Sequence, residues 1–268
     1  MKNRQYRNLI LNSSLLFVIA SIIEMIAHEC GHFVAALMMN AQNVALHHNY
    51  VSDTASDLTV AQVVFVKAAG PLVSLLIGII FHFVCSRQRS RGLGFLFTLY
   101  MAVFGYIGIF GYMLVAPFFT SGDTGYICSI LEFPMWLTVM VAVVGSGILY
   151  LLMRQLVRYF VEMGTPDIIT AKEIRHPFIN ALVLYPLMIG IAVTTLLNLP
   201  VEVPLSLIAP ICSPFAILWT YGDALSKEYP TVAMSSSIEP INRLSMTWVI
   251  IFVLTVIANR LLVYGVTL

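Results

Sequence analysis

The chain has 268 residues, of which 59% are hydrophobic and only 10% are charged. Soluble proteins carry about 25% charged residues, so the composition excludes a soluble globular protein and predicts that most of the surface faces lipid. The balance of 14 basic and 13 acidic residues, with no basic cluster interleaved with aromatic residues, excludes nucleic acid as a partner.

Apolar stretches long enough to cross a bilayer as helices, about 20 residues each, recur along the chain. We predict an all-α, polytopic membrane protein with six or seven transmembrane helices, forming one integral membrane domain over residues 1–268. Residues 8–132 are expected to form the functional core, and residues 133–268 to add further helices. The predicted spans are Leu9–Met39, Leu58–Cys85, Leu93–Ala116, Phe133–Met153, Phe178–Leu199, Val203–Tyr221 and Leu244–Val263.

Two of these spans contain residues that disturb a helix. The second is expected to be broken in its middle at Gly70-Pro71. The sixth is short and contains Pro210 and Pro214, so a re-entrant segment is the alternative to a crossing helix.

Basic residues alternate between the loops as the positive-inside rule requires for seven spans with a cytoplasmic N-terminus. Loops 40–57, 117–132 and 200–202 contain no lysine or arginine. We therefore expect a multi-pass protein of a cellular membrane, such as a bacterial inner membrane, with these three loops on the non-cytoplasmic side. The segment before the first span and the loops after the second, fourth and sixth spans contain the basic residues Lys2, Arg4, Arg7, Arg87, Arg89, Arg91, Arg154, Arg158, Lys172, Arg175, Lys227 and Arg243.

The first span carries the pattern His28-Glu29-Cys30-Gly31-His32 near its non-cytoplasmic end. Histidines four residues apart lie on one helix face and can bind a single zinc ion, while the glutamate can act as general base on a metal-bound water. Ionisable groups at the edge of the hydrocarbon layer are costly and usually functional, which favours a zinc site over two incidental interior histidines. Cys30 points away from this face, and the four cysteines have no paired spacing typical of a disulfide framework or a cysteine zinc site.

Catalytic zinc usually has three protein ligands, so one more is expected on the same side of the membrane. Asp123, in the glycine-flanked loop after the third span, is the best candidate, although an aspartate in such a loop is also a common turn or cap residue. Asp223 is a rival if the sixth segment does not span. His47 and His48 lie on the correct side, and a solvated surface pair is the more ordinary interpretation of these two histidines.

Two further charges, Glu24 and Lys67, lie deep in the first and second spans. Glu24 shares a helix stripe with Ser21, His28 and His32 at about 100° per residue. We expect Glu24 and Lys67 to pair and to fix the two helices beside the metal. The alternative is that Glu24 orients His28 as a hydrogen-bond partner.

These residues together resemble the site-2 proteases, a family of intramembrane zinc metalloproteases. The resemblance rests on residues 28–32 in a first core helix, on Ala69-Gly70-Pro71 in the next span, and on the Asp123 loop after the third; it covers about residues 15–130. It implies that His28, His32 and Asp123 bind Zn2+ and that Glu29 activates water to cleave a membrane-spanning substrate. The chain departs from the family pattern at Ser74, where asparagine is common, and in its Asp123-Thr124-Gly125 sequence.

The predicted function is therefore a zinc metalloprotease that hydrolyses peptide bonds of transmembrane or membrane-anchored proteins within or at the edge of the bilayer. One alternative resembles the prenyl-protein-processing membrane proteases, whose third ligand is a glutamate, with Glu132 or Glu162 as candidates. The other is a non-catalytic metal-binding membrane protein or a transporter. A transporter is expected to have polar residues strung along several spans, whereas here they concentrate at one end of the first.

Overall fold

The computed structural model describes residues 3–54, 58–201, 207–226, 241 and 243–267, and it is predominantly helical. Lys2, Lys227 and residues 203–206 of the predicted sixth span fall outside these ranges. In chain order the helices are α1 (Asn3–Met38), α2 (Val60–Arg87), α3 (Leu93–Val115), α4 (Asp123–Ile130), α5 (Met135–Val161), α6 (Pro166–Thr170), α7 (Lys172–Ile179), α8 (Tyr185–Leu197), α9 (Ile208–Cys212), α10 (Leu218–Ser226) and α11 (Met246–Leu261). A π-helical turn (Asn180–Leu184) joins α7 to α8, and 3-10 turns at Ser213–Ile217 and Leu262–Tyr264 follow α9 and α11.

Six helical segments in the described part of the chain are long and apolar enough to cross a membrane. They are α1, α2, α3, α5, the continuous segment from α7 to α8, and α11 with its 3-10 end. The prediction of an all-α, polytopic membrane protein with six to seven spans is confirmed. The fourth span was placed too early, because α5 starts after Pro134 and extends through Arg154 and Arg158 to Val161.

Helix α3 forms the centre of the bundle. Of the 18 most apolar consecutive residues of α3, 78% are buried, whereas in the segment of α11 the share is 6%. Helix α3 is therefore surrounded by protein, and α11 lies on the outside of the bundle. Tyr100 and Leu99 on α3 are completely buried and belong to one core shared with α1, α5 and the α7–α8 segment. A helix packed on all sides fixes its neighbours, and α1 and α2, which carry the histidine motif and Gly70-Pro71, pack directly against it.

Helix α2 is continuous through Gly70-Pro71, so the predicted break is wrong. A proline within a helix removes one backbone hydrogen bond without ending the helix when neighbouring elements hold it in place. The start of α2 is set by a capping box in which Thr59 accepts a hydrogen bond from the Gln62 backbone and the Gln62 side chain accepts one from the Thr59 backbone.

The loop after α1 forms a small sheet that the sequence did not predict. Strand β1 (Gln42–Leu46) pairs antiparallel with β2 (Val51–Thr54) on one side and with β3 (Val266–Thr267) on the other. In register, Ala45 lies opposite both Ser52 and Thr267. The end of the last span is therefore joined to the loop that follows the first.

In its described residues, the predicted sixth span consists of short helical pieces. It begins at Leu207 and Pro210 beside the cavity that contains Asp123, and continues through α9, a 3-10 turn and α10. At its far end Asp223 accepts a hydrogen bond of 2.8 Å from Arg154, near the end of α5. Arg175 of α7 donates to the Leu225 carbonyl oxygen at the same end. The segment thus runs from the Asp123 side to the opposite side without forming one long helix.

Helix α11 is attached to the bundle at both of its ends. At the start, Asn12 of α1 donates hydrogen bonds of 3.0 and 2.7 Å to the carbonyl oxygens of Ile241 and Arg243. At the other end, Arg260 donates to the carbonyl oxygens of Leu197 and Leu199 after α8, and β3 follows. α1 and α11 therefore run in the same direction.

Candidate metal centre

Three side chains from two distant parts of the sequence meet near the C-terminal end of α1. His28 Nε2 and His32 Nε2 lie 3.1 Å apart, and Asp123 Oδ2 lies 3.0 Å from the first and 3.2 Å from the second. All three residues are at least nine-tenths buried. The structure thus brings together the three residues that the sequence singled out as ligands, and this buried cluster could bind a metal ion.

The spacing of these atoms fits a small tetrahedral ion. Zinc binds imidazole nitrogen and carboxylate oxygen at about 2.0 to 2.1 Å, which places neighbouring ligands of a tetrahedron about 3.3 Å apart. The three observed separations, 3.0, 3.1 and 3.2 Å, form a nearly equilateral triangle of this size. Three atoms at these separations would occupy one face of such a tetrahedron, and the protein's cavity lies beside them.

His32 is held by a backbone carbonyl of the neighbouring helix. Its Nδ1 lies 2.7 Å from the Val66 carbonyl oxygen on α2, which can only accept a hydrogen bond. The proton of neutral His32 is therefore on Nδ1, and the Nε2 lone pair points at Asp123 and His28. His28 has an equivalent partner, because its Nδ1 lies 2.8 Å from Ser74 Oγ.

Ser74 connects His28 to a buried carboxylate. Its hydroxyl donates a hydrogen bond of 2.5 Å to Glu24 Oε1, and it is therefore free to accept from His28 Nδ1. Gly108 of α3 makes room for this pair, since a methyl group there would lie 2.5 Å from Ser74 Oγ and would overlap Glu24 Oε1. The sequence offered two roles for Glu24, and the orienting role, acting through Ser74, agrees with these contacts.

The predicted Glu24–Lys67 ion pair is not formed. Among the described residues no carboxylate lies within 4.0 Å of the Lys67 ammonium group, and Lys67 Nζ lies 5.7 Å from the centre of the Tyr126 ring. Lys67 reaches the cavity wall, within electrostatic range of Glu29. The two residues face different neighbours, since Glu24 accepts from Ser74 and Lys67 lies near the Tyr126 ring.

Gly70 lies directly against the two imidazole rings. A methyl group at this position would be 2.7 Å from His28 Nε2 and would overlap His32 Nε2. Gly31 allows a similar approach from the other helix, since a methyl group there would lie 2.8 Å from the Ala69 carbonyl oxygen. Gly70, which the sequence interpretation associated with a helix break, thus acts with Gly31 to permit α1 and α2 to pack closely at the candidate metal site.

Asp123 is the first residue of α4, immediately after the N-cap residue Gly122. Burial raises the pKa of its carboxyl group, but His32 and His28, when protonated, outweigh burial and hold that pKa well below its ordinary value. Gly125 packs against the Phe119 carbonyl oxygen and leaves no room for a side chain there. This tight turn aims the carboxylate at the histidines.

A cavity of about 250 Å³ opens beside the three ligand atoms. Glu29 is buried and lines this cavity, within electrostatic range of His28, His32 and Asp123. The cavity extends along α1 as far as Ser21 and is also lined by Pro210 and Pro214 of the interrupted segment. A carboxylate thus lies at a cavity wall close to the candidate metal position.

The other candidate ligands lie elsewhere. Asp223 pairs with Arg154, and Glu162 accepts a hydrogen bond of 2.9 Å from Arg91, both at the opposite end of the bundle. Glu132 is exposed in the turn after α4, with a positive φ of 53°. None of the three belongs to the metal-ligand cluster found in the described residues.

His47 and His48 are on the same side as the site but face away from it. His47 stacks on Tyr50 with ring centres 4.3 Å apart, and His48 Nε2 lies 3.0 Å from the Asn198 carbonyl oxygen. Contrary to the solvated pair expected, His48 is almost completely buried. Burial lowers the pKa of His48, and the positive charge of Arg260 lowers it further.

Tyr112, in the last turn of α3, is a site residue that the sequence interpretation missed. Its ring stacks on the His28 imidazole with ring centres 5.4 Å apart and planes inclined by 21°, and it lines the cavity. No local pattern distinguishes it from the chain's other tyrosines, because its position depends on how α3 is rotated against α1.

The chain matches no model of a known protein family, and comparison with curated proteins and with solved structures likewise finds no match. The residues and geometry of the site therefore supply the grounds for assigning a function.

Proposed function

We propose that this protein is a zinc-dependent membrane protease, similar to the site-2 proteases, that cleaves membrane-protein substrates at the edge of the bilayer. The observation that carries the proposal is the near-equilateral triangle of His28, His32 and Asp123 with Glu29 in the adjoining cavity. Two histidines and an aspartate with a fourth open position are the donor set of a catalytic rather than a structural zinc site.

Bound at these three atoms, zinc would act as a Lewis acid on the substrate carbonyl and lower the pKa of a water molecule. Glu29 accepts the proton of the attacking water and transfers it to the amide nitrogen as the carbon–nitrogen bond breaks. The water oxygen becomes part of the new carboxyl group. Ser74 and the Val66 carbonyl oxygen keep the Nδ1 protons of both histidines in place, so that each Nε2 stays available to the metal.

The position of the site supports cleavage at the membrane edge. His32 is six residues before the end of α1, which corresponds to about 9 Å at the rise of an α-helix. The loops on this side, 40–57 and 117–132, carry no basic residues, and those at the opposite end of the bundle are rich in arginine. We accordingly place the site on the non-cytoplasmic side and residue 3 on the cytoplasmic side.

The competing enzyme class is less well supported. A prenyl-protein-processing protease needs a glutamate as third ligand, and Glu162 is engaged by Arg91 while Glu132 lies in an exposed turn. Asp123 occupies the position that such a glutamate would have to fill.

The test is the variant Glu29→Gln, reconstituted in liposomes with a panel of single-span membrane proteins. The parent should contain about one zinc ion per chain by elemental mass spectrometry and produce cleavage fragments. Glu29→Gln should retain the zinc and produce none, because the amide cannot accept the proton. Glu132→Gln, the same change at an exposed glutamate, should behave like the parent. Cleavage by Glu29→Gln at the parental rate would refute the general-base role, and a parent without zinc would refute the proposed function.

A further inference from the structure

The wall of the cavity formed by α3 carries a polar group that the proposed reaction has not yet used. Tyr112 stacks on His28, and its ring also approaches Gly122, where a methyl group would lie 3.4 Å from the tyrosine ring. The residue is thus wedged between one candidate metal ligand and the residue that precedes another. This packing fixes the ring at the edge of the site.

The hydroxyl group at the end of this ring has no hydrogen-bond partner within the described ranges. It lies within electrostatic range of Asp123 and Glu29, and both Tyr112 and Glu29 line the cavity. A phenol in an apolar membrane protein usually finds a partner, and one that does not is free to donate to a ligand in the cavity.

We propose that Tyr112 is a catalytic residue whose hydroxyl donates a hydrogen bond to the oxygen of the scissile carbonyl as that oxygen becomes negatively charged. This inference rests on the proposed protease function and adds a residue to it. The phenol keeps its proton throughout, so Glu29 still carries the single proton transferred from water to the leaving amine. Fixed donors of this kind are effective because they do not have to reorganise during the reaction.

Lys67 is the rival donor, since it also lines the cavity. Its ammonium group is placed near the Tyr126 ring and Glu29, whereas Tyr112 contacts His28 itself. A donor that stacks on a metal ligand is held at the same place whether or not a substrate is present. We therefore assign the role to Tyr112.

The experiment compares Tyr112→Phe with the parent, both loaded with zinc in detergent micelles, using two dipeptide probes with the same side chains. A phosphinic dipeptide presents the tetrahedral oxygens of the transition state, and a thiol-terminated dipeptide binds metal through sulfur without such an oxygen. Tyr112→Phe keeps the stacked ring and removes only the hydroxyl group. It should therefore lower the affinity for the phosphinic probe by about 10- to 100-fold, which corresponds to one hydrogen bond to a charged group. Binding of the thiol probe should change by less than about twofold, because that probe has no oxygen for the phenol to bind.

Tyr106→Phe is the matched control, because Tyr106 is on the same helix and its hydroxyl contacts His82 Nδ1 at 2.9 Å. It should bind both probes like the parent. Equal affinities of Tyr112→Phe and the parent for the phosphinic probe would overturn the proposal. So would an equal loss for both probes, which indicates a packing role, or a selective loss in Lys67→Met instead. Absence of cleavage by the parent would refute the protease function, and the probe comparison would still decide the role of Tyr112.

Discussion

Ser74 donates a hydrogen bond of 2.5 Å to Glu24, and through this bond a carboxylate on α1 controls a histidine on the same helix. The link passes through α2, which contributes Ser74, and returns to His28 on α1. A carboxylate that holds a metal-binding histidine fixes the orientation of its ring and increases its basicity. Here the connection is indirect, and it also joins the two helices at the site.

Replacing Ser74 by alanine should weaken zinc binding by about 10- to 100-fold, the usual effect of removing such a partner. His28 Nδ1 would lose its acceptor, and Glu24 would lose its donor. Competition with a fluorescent zinc chelator measures the affinity. Ser146→Ala is the control, because Ser146 on α5 donates only to the Ala142 carbonyl oxygen of its own helix.

Adding Glu24→Gln to Ser74→Ala tests whether the two residues act as one unit. Residues in one hydrogen-bond network have non-additive effects, so the double variant should bind zinc no more than about twofold more weakly than Ser74→Ala. Fully additive losses would show that Glu24 acts on the metal site by another route.

Replacing Gly70 by alanine should abolish zinc binding at micromolar concentrations, since the new methyl group would occupy the space of the His32 and His28 nitrogens. The fold should persist, because alanine is a good helix former. Elemental analysis after size-exclusion chromatography measures both properties. Gly147→Ala on α5, where a methyl group meets no atom within 4 Å, should keep its zinc; a zinc-replete Gly70→Ala would show that α1 and α2 are farther apart than described.

The identity of the third ligand can be decided by a pair of aspartate variants. Asp123→Ala should lose at least about 100-fold in zinc affinity, because it leaves two protein ligands where catalytic zinc sites have three. Asp223→Ala removes a partly exposed ion pair with Arg154 on the far side and should leave the affinity unchanged. If Asp223→Ala lost zinc affinity and Asp123→Ala did not, Asp123 would not be the third ligand.

His48 should make the protein less stable as the pH falls below neutrality. An unfolded histidine has a pKa of about 6.5, and the folded pKa of His48 is lower because the residue is buried. Above about pH 6.5 both states are neutral and His48 contributes no pH dependence; below it the unfolded chain binds a proton that the folded state resists, so stability decreases until the pH passes the folded pKa.

The measurement is the melting temperature of the zinc-loaded protein between pH 7.5 and 5.5, compared with His48→Gln. The glutamine amide can still donate to the Asn198 carbonyl oxygen but cannot titrate. The parent should lose more stability on acidification than the variant. Parallel curves would show that His48 does not contribute.

The spans and the histidine motif could be predicted because both depend on residues close together in sequence. Hydropathy over about 20 residues defines a crossing helix, and a four-residue spacing places His28 and His32 on one face. Asp123 could be predicted as well, because the number of predicted crossings put its loop on the same side of the membrane as the histidine motif. The structure has long apolar helices close to most of the predicted spans, although α5 extends to Val161 and the sixth consists of short pieces, and it brings the three residues together.

Contacts between helices were not predictable in the same way. Glu24 and Lys67 were expected to pair because of their places along the two spans, but place along a helix does not determine which direction a side chain faces, and Glu24 faces Ser74. Tyr112 was missed for the same reason. The sequence Gly70-Pro71 is typical of a helix break. In the bundle α2 continues through it, and the missing side chain of Gly70 allows α1 and α2 to pack closely.

The attachment of α11 at both ends restricts how the bundle can open. A helix held only at one end can swing away from its neighbours, but α11 is fixed to α1 through Asn12 and to the sheet through β3. Swinging would break the hydrogen bonds of Asn12, which is completely buried, so that water cannot readily replace them. For the proposed polypeptide substrate, we therefore expect entry from the lipid between other helices, and cross-linking α11 to α1 should leave that route open.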